Sequence, residues 1–326
     1  MSKIIKAREE NVYIVIEEIK KGKVVIVPTD TVYGLICDGL NKKSKERIYR
    51  IKKRELKKPL IGFVDKVEKA EKYIEIEKNF IKYKWPGATT IIGKSKKEIP
   101  FLTSKEKKTG IRIPDYQFLL KILEKFEIIA STSANISGEK TPSTISEISE
   151  EVKNNVDLIV DGGKTKGRES TIWDISTQPP KLIRGTVLFV CEGNSCRSPM
   201  AEYFLKKFVK EKGYKIKVIS AGTGVISSGK ISDKTVEVMK RIGIEIRNFV
   251  SKPLDFKIIE EADIIFVMEK HHKYKILSFV PEAKDKIFIL DVPDPAGKEI
   301  SHYERIRDII KEKIENIVLE RIGKWK

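Results

Sequence analysis

The side chains with the clearest chemistry lie together in Cys191-Glu192-Gly193-Asn194-Ser195-Cys196-Arg197-Ser198-Pro199. The apolar run Val187–Val190 precedes them. Met200, Phe204, Phe208 and Ala201, Leu205, Val209 follow at intervals of four, so a buried strand passes through a glycine-containing loop into a helix. Such a junction is an anion site: loop N–H groups turn inward, the helix N-terminus adds partial positive charge, and Arg197 offers a planar fork for phosphate oxygens. The same field favours a thiolate. Cys191 is therefore expected to have a depressed pKa, to attack phosphorus in line, and to form a phosphocysteine that water hydrolyses.

A second concentration of chemistry lies earlier. Pro28-Thr29-Asp30-Thr31-Val32-Tyr33-Gly34-Leu35 ends a strand on a polar turn, and Lys52-Lys53-Arg54 with Lys57-Lys58 gathers cations ahead of an apolar strand. Such a run is either a solvated face or a clamp for a triphosphate.

Positioning these groups requires two scaffolds, and 326 residues suffice for two domains with separate cores. Short β-branched runs (Val24–Val27, Thr89–Ile92, Ile111–Ile113, Ile128–Ala130, Leu158–Val160, Ile172–Ile175 and Lys181–Ile183) alternate with polar helical stretches. They predict a twisted open α/β sheet domain over 1–185. A second cycle runs from Val187 through Lys217–Ser220, Asp263–Met268 and Ile287–Leu290 to an amphipathic helix from about His302. It predicts a doubly wound parallel sheet over 186–326. Only Gly185 and Thr186 separate the last strand signal of one cycle from the first of the next, so a floppy tether is not expected.

Composition narrows the class. Three cysteines, two of them in one loop, allow no disulfide framework, and His271, His272 and His302 have no metal-ligand spacing with them, so no metal centre is expected. The first ten residues are charged, and no run approaches the roughly 18 apolar residues of a membrane helix. A cytoplasmic chain without membrane contact is expected. The net charge is +18, most of it before Gly185, where 38 basic residues face 26 acidic ones. This fits a solvated lysine-rich surface or a polyanion partner such as tRNA or ATP. Abundant Lys, Glu and Ile with only Gln117 and Gln178 as glutamines fits a thermophile or an AT-rich genome equally.

The loop resembles that of the low-molecular-weight protein tyrosine phosphatases, whose signature Cys-x-Gly-Asn-x-Cys-Arg-Ser-Pro is matched from Cys191 to Pro199. The likeness continues through Ser220-Ala221-Gly222-Thr223 and Asp263–Met268. It implies Cys191 as nucleophile, Arg197 as phosphate clamp, and Gly193, Asn194, Ser195, Cys196 and Ser198 as the phosphate loop. Asn194 would hold the strained turn and Ser198 would donate to the thiolate. The family's general acid precedes a proline; Asp294-Pro295 matches, with Asp291 as the alternative. Ala296-Gly297 stand where tyrosine-specific members carry aromatic residues, and Ser195 where they carry a bulky aliphatic. These departures leave room for a guanidinium. Protein phosphoarginine is the expected substrate, phosphotyrosine the alternative, and no cofactor is implied. Related arsenate reductases need further cysteines downstream, and none follows Cys196. Cys196 is either a reversible disulfide partner for Cys191 or a small buried residue.

The earlier motifs continue in order with Pro59-Leu60, Trp85-Pro86-Gly87 with Thr89, Arg112-Ile113-Pro114, Ser131-Thr132-Ser133-Ala134-Asn135 with Ser137-Gly138, Ser170-Thr171 and Arg184-Gly185. Together they resemble the threonylcarbamoyl-adenylate synthases, or YrdC-like domains. The resemblance implies that L-threonine, bicarbonate and ATP give threonylcarbamoyl-AMP and pyrophosphate. The product serves threonylcarbamoyl-adenosine modification of tRNA, which makes tRNA and its modification proteins indirect partners. Lys52, Arg54 and Lys58 would contact the ATP phosphates, Ser133 and Asn135 the nucleotide, and Arg184 the pyrophosphate end. Thr31, Ser131 and Ser170 would hold threonine. Mg²⁺ is implied by ATP, although no carboxylate cluster declares itself as its ligands. Lys58 stands where Asn is common, and Phe63 where some members carry a His. The competing reading of this domain is a non-catalytic RNA-binding module.

Overall fold

Segments dense in β-branched residues fold as strands, and the amphipathic stretches between them as helices. The computed structural model describes residues 3–82, 84–225 and 229–324, and the chain divides into two units between Pro180 and Lys181. The first unit holds β1 (Lys3–Lys6), β2 (Val25–Val27), β3 (Gly34–Asp38), β4 (Ile61–Phe63), β5 (Thr89–Lys94), β6 (Lys108–Arg112), β7 (Ile129–Ser133), β8 (Leu158–Asp161) and β9 (Thr171–Asp174). Their order is β1-β8-β2-β3-β7-β4-β6-β5-β9. Parallel pairs (β1/β8, β2/β8, β4/β6, β5/β9) mix with antiparallel ones (β2/β3, β3/β7, β4/β7, β5/β6).

Helix Val12–Lys20 places Val12, Val15, Ile16 and Ile19 on one face. With Leu119 and Ile122 of helix Gln117–Leu123 they cover Val25, Val27, Ile36, Ile129, Leu158 and Val160. β1 lies in the charged N-terminal stretch, which carries no strand signal of its own. It forms by parallel pairing with β8, and Ile5 packs onto this core.

The second unit holds β10 (Lys181–Cys191), β11 (Lys215–Gly222), β12 (Ile264–Val267) and β13 (Ile287–Ile289), parallel throughout in the order β11-β10-β12-β13. Both faces are apolar, as buried parallel strands require. Leu188, Val190, Ile265 and Val267 meet Ile259, Ile276 and Val280, while Phe189 stacks on Phe266 with ring centroids 5.6 Å apart. No helix among the described residues is long and apolar enough to cross a membrane.

One expectation needs correction. Lys181–Ile183 and Val187–Val190 are not separate strands: both lie in the unbroken β10. Gly185 makes no turn. A Cβ there would come 2.5 Å from Asp263 Oδ2, and Thr186 N donates to that same carboxylate oxygen at 2.8 Å, so the glycine permits a close approach. Arg184, assigned to the first domain from sequence, therefore lies on the first strand of the second unit.

Gly222, at the end of β11, permits a similar approach to the loop after β10. A Cβ would come 2.5 Å from Glu192 O and 2.8 Å from Asn194 N, both backbone atoms that cannot swing away. Gly222→Ala is expected to cost about 1–3 kcal/mol of unfolding free energy, the range for overpacking. Urea denaturation of the variant beside wild type checks this, and an unchanged midpoint would contradict the packing.

Candidate functional site

In the second unit, Cys191 ends β10 and Arg197 begins helix Arg197–Lys212, so strand and helix termini flank Glu192–Cys196. Asn194 has φ +47°, a left-handed conformation that a short amide tolerates. Its side chain is committed at both atoms. Oδ1 accepts from Lys252 N at 2.8 Å, and Nδ2 donates to Ser198 Oγ at 2.9 Å and to Ser220 Oγ at 2.8 Å. Ser220 Oγ donates in turn to the buried carboxylate of Glu202, which also pairs with Lys206. Ser198, having accepted from Asn194, shares a 3.0 Å hydrogen bond with Cys191 Sγ and favours the thiolate form of that sulfur. Ser251 Oγ donates to Asn194 O at 2.9 Å, and Ser195 O accepts from Ser232 N at 3.0 Å. Gly193 is exposed on the loop.

Cys191 is 2% exposed. Burial pushes its thiol up, against the Ser198 hydroxyl and N–H, the Arg197 guanidinium and the Asn194 N–H, which pull it down. Burial prevails, which corrects the expected depressed thiol. Arg197 is itself engaged by other groups. Its Nη1 donates to Glu269 and, at 3.0 Å, to Val292 O, while Nη2 donates to Asp294, so its charge is shared with two carboxylates. Asp294 Oδ1 also accepts from Ala296 N at 3.0 Å. The Asp-Pro carboxylate thus reaches the loop arginine, whereas Asp291 is exposed at φ +55°. Ala296 and Gly297 are exposed beyond it. Cys196 is buried and reduced, with Sγ 3.6 Å from Tyr303 Oη and 3.7 Å from Ser195 Oγ. Glu269 and Glu202 carry no signal in the sequence, and Ser220 is legible only as part of the Ser220–Thr223 likeness, without its role. Only the Glu-x-x-His spacing of Glu269 and His272, which closes a capping box, hints at order there.

In the first unit the polar turn after β2 is built on Thr29, whose Oγ1 accepts from Thr31 N at 3.0 Å and Val32 N at 3.2 Å and donates to Val32 O at 2.7 Å. Arg112 ends β6 and reaches this turn: Nη1 donates to Thr31 Oγ1 at 2.9 Å, Nη2 to Asp30 Oδ1 at 2.5 Å and Nε to Gly87 O at 3.0 Å. Guanidinium and carboxylate are almost fully buried. Burial pulls the Arg112 pKa below the ordinary arginine value, with Asp30 working the other way. Phe63, paired with Arg112 across β4 and β6, lies with its ring centroid 5.6 Å from the guanidinium. Arg112 is the centre of this site, although from sequence it is only one motif among several.

The other expected residues surround the turn unevenly. Ser131 is buried on β7, and its Oγ would lie 3.5 Å from a Cβ at Gly34. Ser170 Oγ shares a 2.9 Å hydrogen bond with Thr90 Oγ1. The segment before Ser170 is tied to the turn where Gly167 N donates to Thr31 O at 2.8 Å. Tyr33 anchors the same segment. Its hydroxyl accepts from Gly162 N at 3.0 Å and donates to Gly163 O at 2.7 Å, and burial pushes its pKa up to about 12.

The cations differ from one another. Lys52 is 1% exposed, and its ammonium donates to Ser133 O, to Asn135 O at 2.6 Å and to Asn135 Oδ1 at 2.9 Å. It braces the Ser133–Asn135 segment rather than projecting toward solvent. Ser133 Oγ donates to Asn135 Oδ1 at 2.6 Å. Arg54 donates through Nε and Nη2 to Lys58 O and Pro59 O at 2.9 and 2.8 Å. Lys58 is exposed and paired with Glu55.

Residues 17–186 match the model of the Sua5/YciO/YrdC family, described as telomere recombination. Residues 186–325 match that of the low molecular weight phosphotyrosine protein phosphatases. A Methanocaldococcus jannaschii protein provisionally named threonylcarbamoyl-AMP synthase is 40% identical over 189 residues, covering 56% of this chain and 89% of that one. The protein-arginine-phosphatase of Bacillus subtilis is 37% identical over 135 residues, 39% of this chain and 89% of that one. Arsenate reductase 2 of Staphylococcus haemolyticus is 36% identical over 135 residues, 41% and 97% respectively. Of some longer threonylcarbamoyl-AMP synthases that it matches, the chain spans about half the length.

Two consequences can be measured. Asp30→Ala leaves the Arg112 guanidinium buried without its counter-charge, and a loss of about 3–5 kcal/mol in unfolding free energy is expected by denaturant titration. Glu269→Gln removes one of the two negative charges on Arg197. The thiolate then forms more readily, so the pH midpoint of Cys191 alkylation, followed on its peptide by mass spectrometry, is expected to move to lower pH. A midpoint that stays or rises would refute the electrostatic account.

Proposed function

Two enzyme families are fused in this chain, which belongs through its first part to the Sua5/YciO/YrdC family and through its second to the low-molecular-weight phosphatases, and on this premise we propose a bifunctional enzyme. The first unit makes threonylcarbamoyl-AMP from L-threonine, bicarbonate and ATP, releasing pyrophosphate and water. The second hydrolyses phosphoarginine on proteins.

The buried Arg112–Asp30 pair on the Thr29–Thr31 turn carries the first reading. It fixes polar groups beside Thr31 before any substrate arrives, the pre-organisation needed to hold threonine as a carbamate whose oxygen attacks the α-phosphorus. Ser131 and Ser170 complete the threonine contacts. Lys52 acts indirectly, by ordering Ser133 and Asn135 for the nucleotide, while Arg54 and Lys58 serve the phosphates. Lys58 must exchange Glu55 for phosphate to do so. Asp30 is committed to Arg112, so Mg²⁺ fits the nucleotide's own phosphates better than a protein carboxylate here.

The Ser198–Cys191 hydrogen bond beside Arg197 and Asp294 carries the second reading. Cys191 attacks phosphorus as its thiolate, stabilised by Ser198. Arg197 turns from its carboxylates to the phosphate oxygens. Asp294, freed from Arg197, takes up the proton lost by the Cys191 thiol and delivers it to the leaving nitrogen; water then attacks the phosphocysteine, giving a proton back to Asp294 and releasing phosphate and the Cys191 thiolate. The small Ser195 and the carboxylates Glu269 and Asp294 favour a cationic guanidinium over a phenol. Cys196 is the last cysteine of the chain, which weighs against an arsenate reductase cascade.

Pyrophosphate release from ATP is expected to require both threonine and bicarbonate; release independent of either, or none at saturating ATP, would overturn the synthase reading and leave RNA binding as the alternative. Phosphoarginine peptides are expected to be hydrolysed faster than phosphotyrosine peptides. Cys191→Ser should abolish both reactions, and Ser195→Ile should lower the phosphoarginine preference by about tenfold, the scale of a change in pocket packing. Equal preference in wild type and Ser195→Ile would refute the role given to Ser195.

A further inference from the structure

One buried side chain in the second unit is neither used by this chemistry nor satisfied. His272 is 0% exposed, and its Nε2 has no hydrogen-bond partner. Its Nδ1 accepts from Glu269 N at 3.1 Å, closing the capping box in which the Glu269 side chain receives the His272 N–H. An accepting Nδ1 fixes the tautomer: in the neutral ring the proton is on Nε2. The orphan is therefore an N–H donor, and a buried donor left unpaired costs about 1–3 kcal/mol. It faces Glu192 Oε2, 3.7 Å away and just beyond hydrogen-bond reach.

Glu192 directly follows the nucleophile. Its carboxylate accepts from Thr223 Oγ1 at 2.8 Å, which holds its pKa below the ordinary glutamate value. His271 Nε2 lies 3.7 Å from the same oxygen and Lys275 Nζ 4.0 Å from the other. Glu192, His271 and His272 could be taken for a metal-ligand set, since one donor atom from each lies within 4.8 Å of the others. A metal needs the Nε2 lone pair, and the Glu269 N–H on Nδ1 denies it to a neutral ring. The other carboxylate in contact with His272, Glu269, is the one that holds Arg197. A single imidazole therefore stands between the start of the phosphate loop and the partner of its arginine.

We propose that His272 is a positioning residue of the phosphatase site: its Nε2–H closes onto the Glu192 carboxylate when the loop takes up a phosphate dianion, while Nδ1 keeps Glu269 aimed at Arg197. This rests on the reading of the second unit as a phosphatase. The role requires a neutral ring. Burial, His271 and Arg197 push the His272 pKa down to about 4, against the pull of Glu192 and Glu269, so the ring does not titrate near neutral pH.

The test uses the full chain with para-nitrophenyl phosphate as substrate and inorganic phosphate as competing ligand. His272→Asn retains a short acceptor for Glu269 N but cannot reach Glu192. It is expected to raise KM and the inhibition constant of phosphate about three- to tenfold, the worth of one hydrogen bond, with a smaller effect on kcat and an unchanged pH profile. Combined with Glu192→Ala it should cost no more than the worse single change, because both remove the same contact. Additive losses, a limb of the pH profile that disappears with His272, or wild-type activity that a chelator abolishes would each overturn the proposal. Should His272→Asn fail to fold by circular dichroism, Glu192 decides alone: Glu192→Gln, whose amide oxygen still accepts a hydrogen bond, must retain tighter phosphate binding than Glu192→Ala. A wild type inert toward both the aryl phosphate and phosphoarginine peptides would instead remove the phosphatase reading itself.

Discussion

The side-chain amide of Asn194 holds the hydrogen bonds around the nucleophile in place. Because Oδ1 is taken by Lys252 N, the two N–H groups must go to Ser198 and Ser220, and Ser198 is held against Cys191 Sγ, where it can donate to a thiolate. Reversing the amide would oppose donor to donor at Lys252. The arrangement demands a backbone in the left-handed region, a strand end without a side chain at Gly222, and a buried carboxylate at Glu202 to accept from Ser220. Each of these requirements comes from a different element, so the parallel sheet and its covering helix must be in place before the sulfur has its donor.

The first unit meets an analogous demand with charge in place of amide geometry. Arg112 has its guanidinium divided among Asp30, Thr31 and Gly87 O, and so ties the end of β6 to the turn after β2. A buried pair of this kind contributes little net stability, since desolvation offsets most of the attraction. Its value lies in allowing one geometry and excluding others. The Tyr33 hydroxyl, which bonds two successive glycines, pins the neighbouring segment in the same spirit.

What the sequence makes legible is whatever is local. Cys191 to Ser198 occupy one strand, loop and helix start, so type and spacing carry the geometry. The Thr29–Thr31 turn is legible for the same reason. Glu269, His272 and Glu202 act from outside the loop, and beyond the Glu-x-x-His spacing nothing in their neighbourhoods distinguishes them from ordinary polar residues; Ser220 belongs to a motif, but its contact with Asn194 is not local. Lys52 shows a different limit. In a run of cations it looks like part of a clamp, yet it stands four residues after Ile48 and three after Tyr49, on the buried face of helix Lys42–Lys52. Its helical period, rather than its charge, decides where it points. β1 is invisible because its short pairing with β8, not its composition, makes it a strand.

Gly185 and Thr186 look like a seam between halves, and β10 shows what dividing the chain there would do. The strand's first residues belong to the second unit: Leu182 bridges to Ile322, and Gly323 N donates to Leu182 O at 2.9 Å. A fragment beginning at 186 would lose that anchor at its C-terminal end together with the register partner of Lys215 on β11. Whoever wishes to produce the two activities as separate polypeptides has a better severance point before Lys181, where Gln178-Pro179-Pro180 leaves the strand whole.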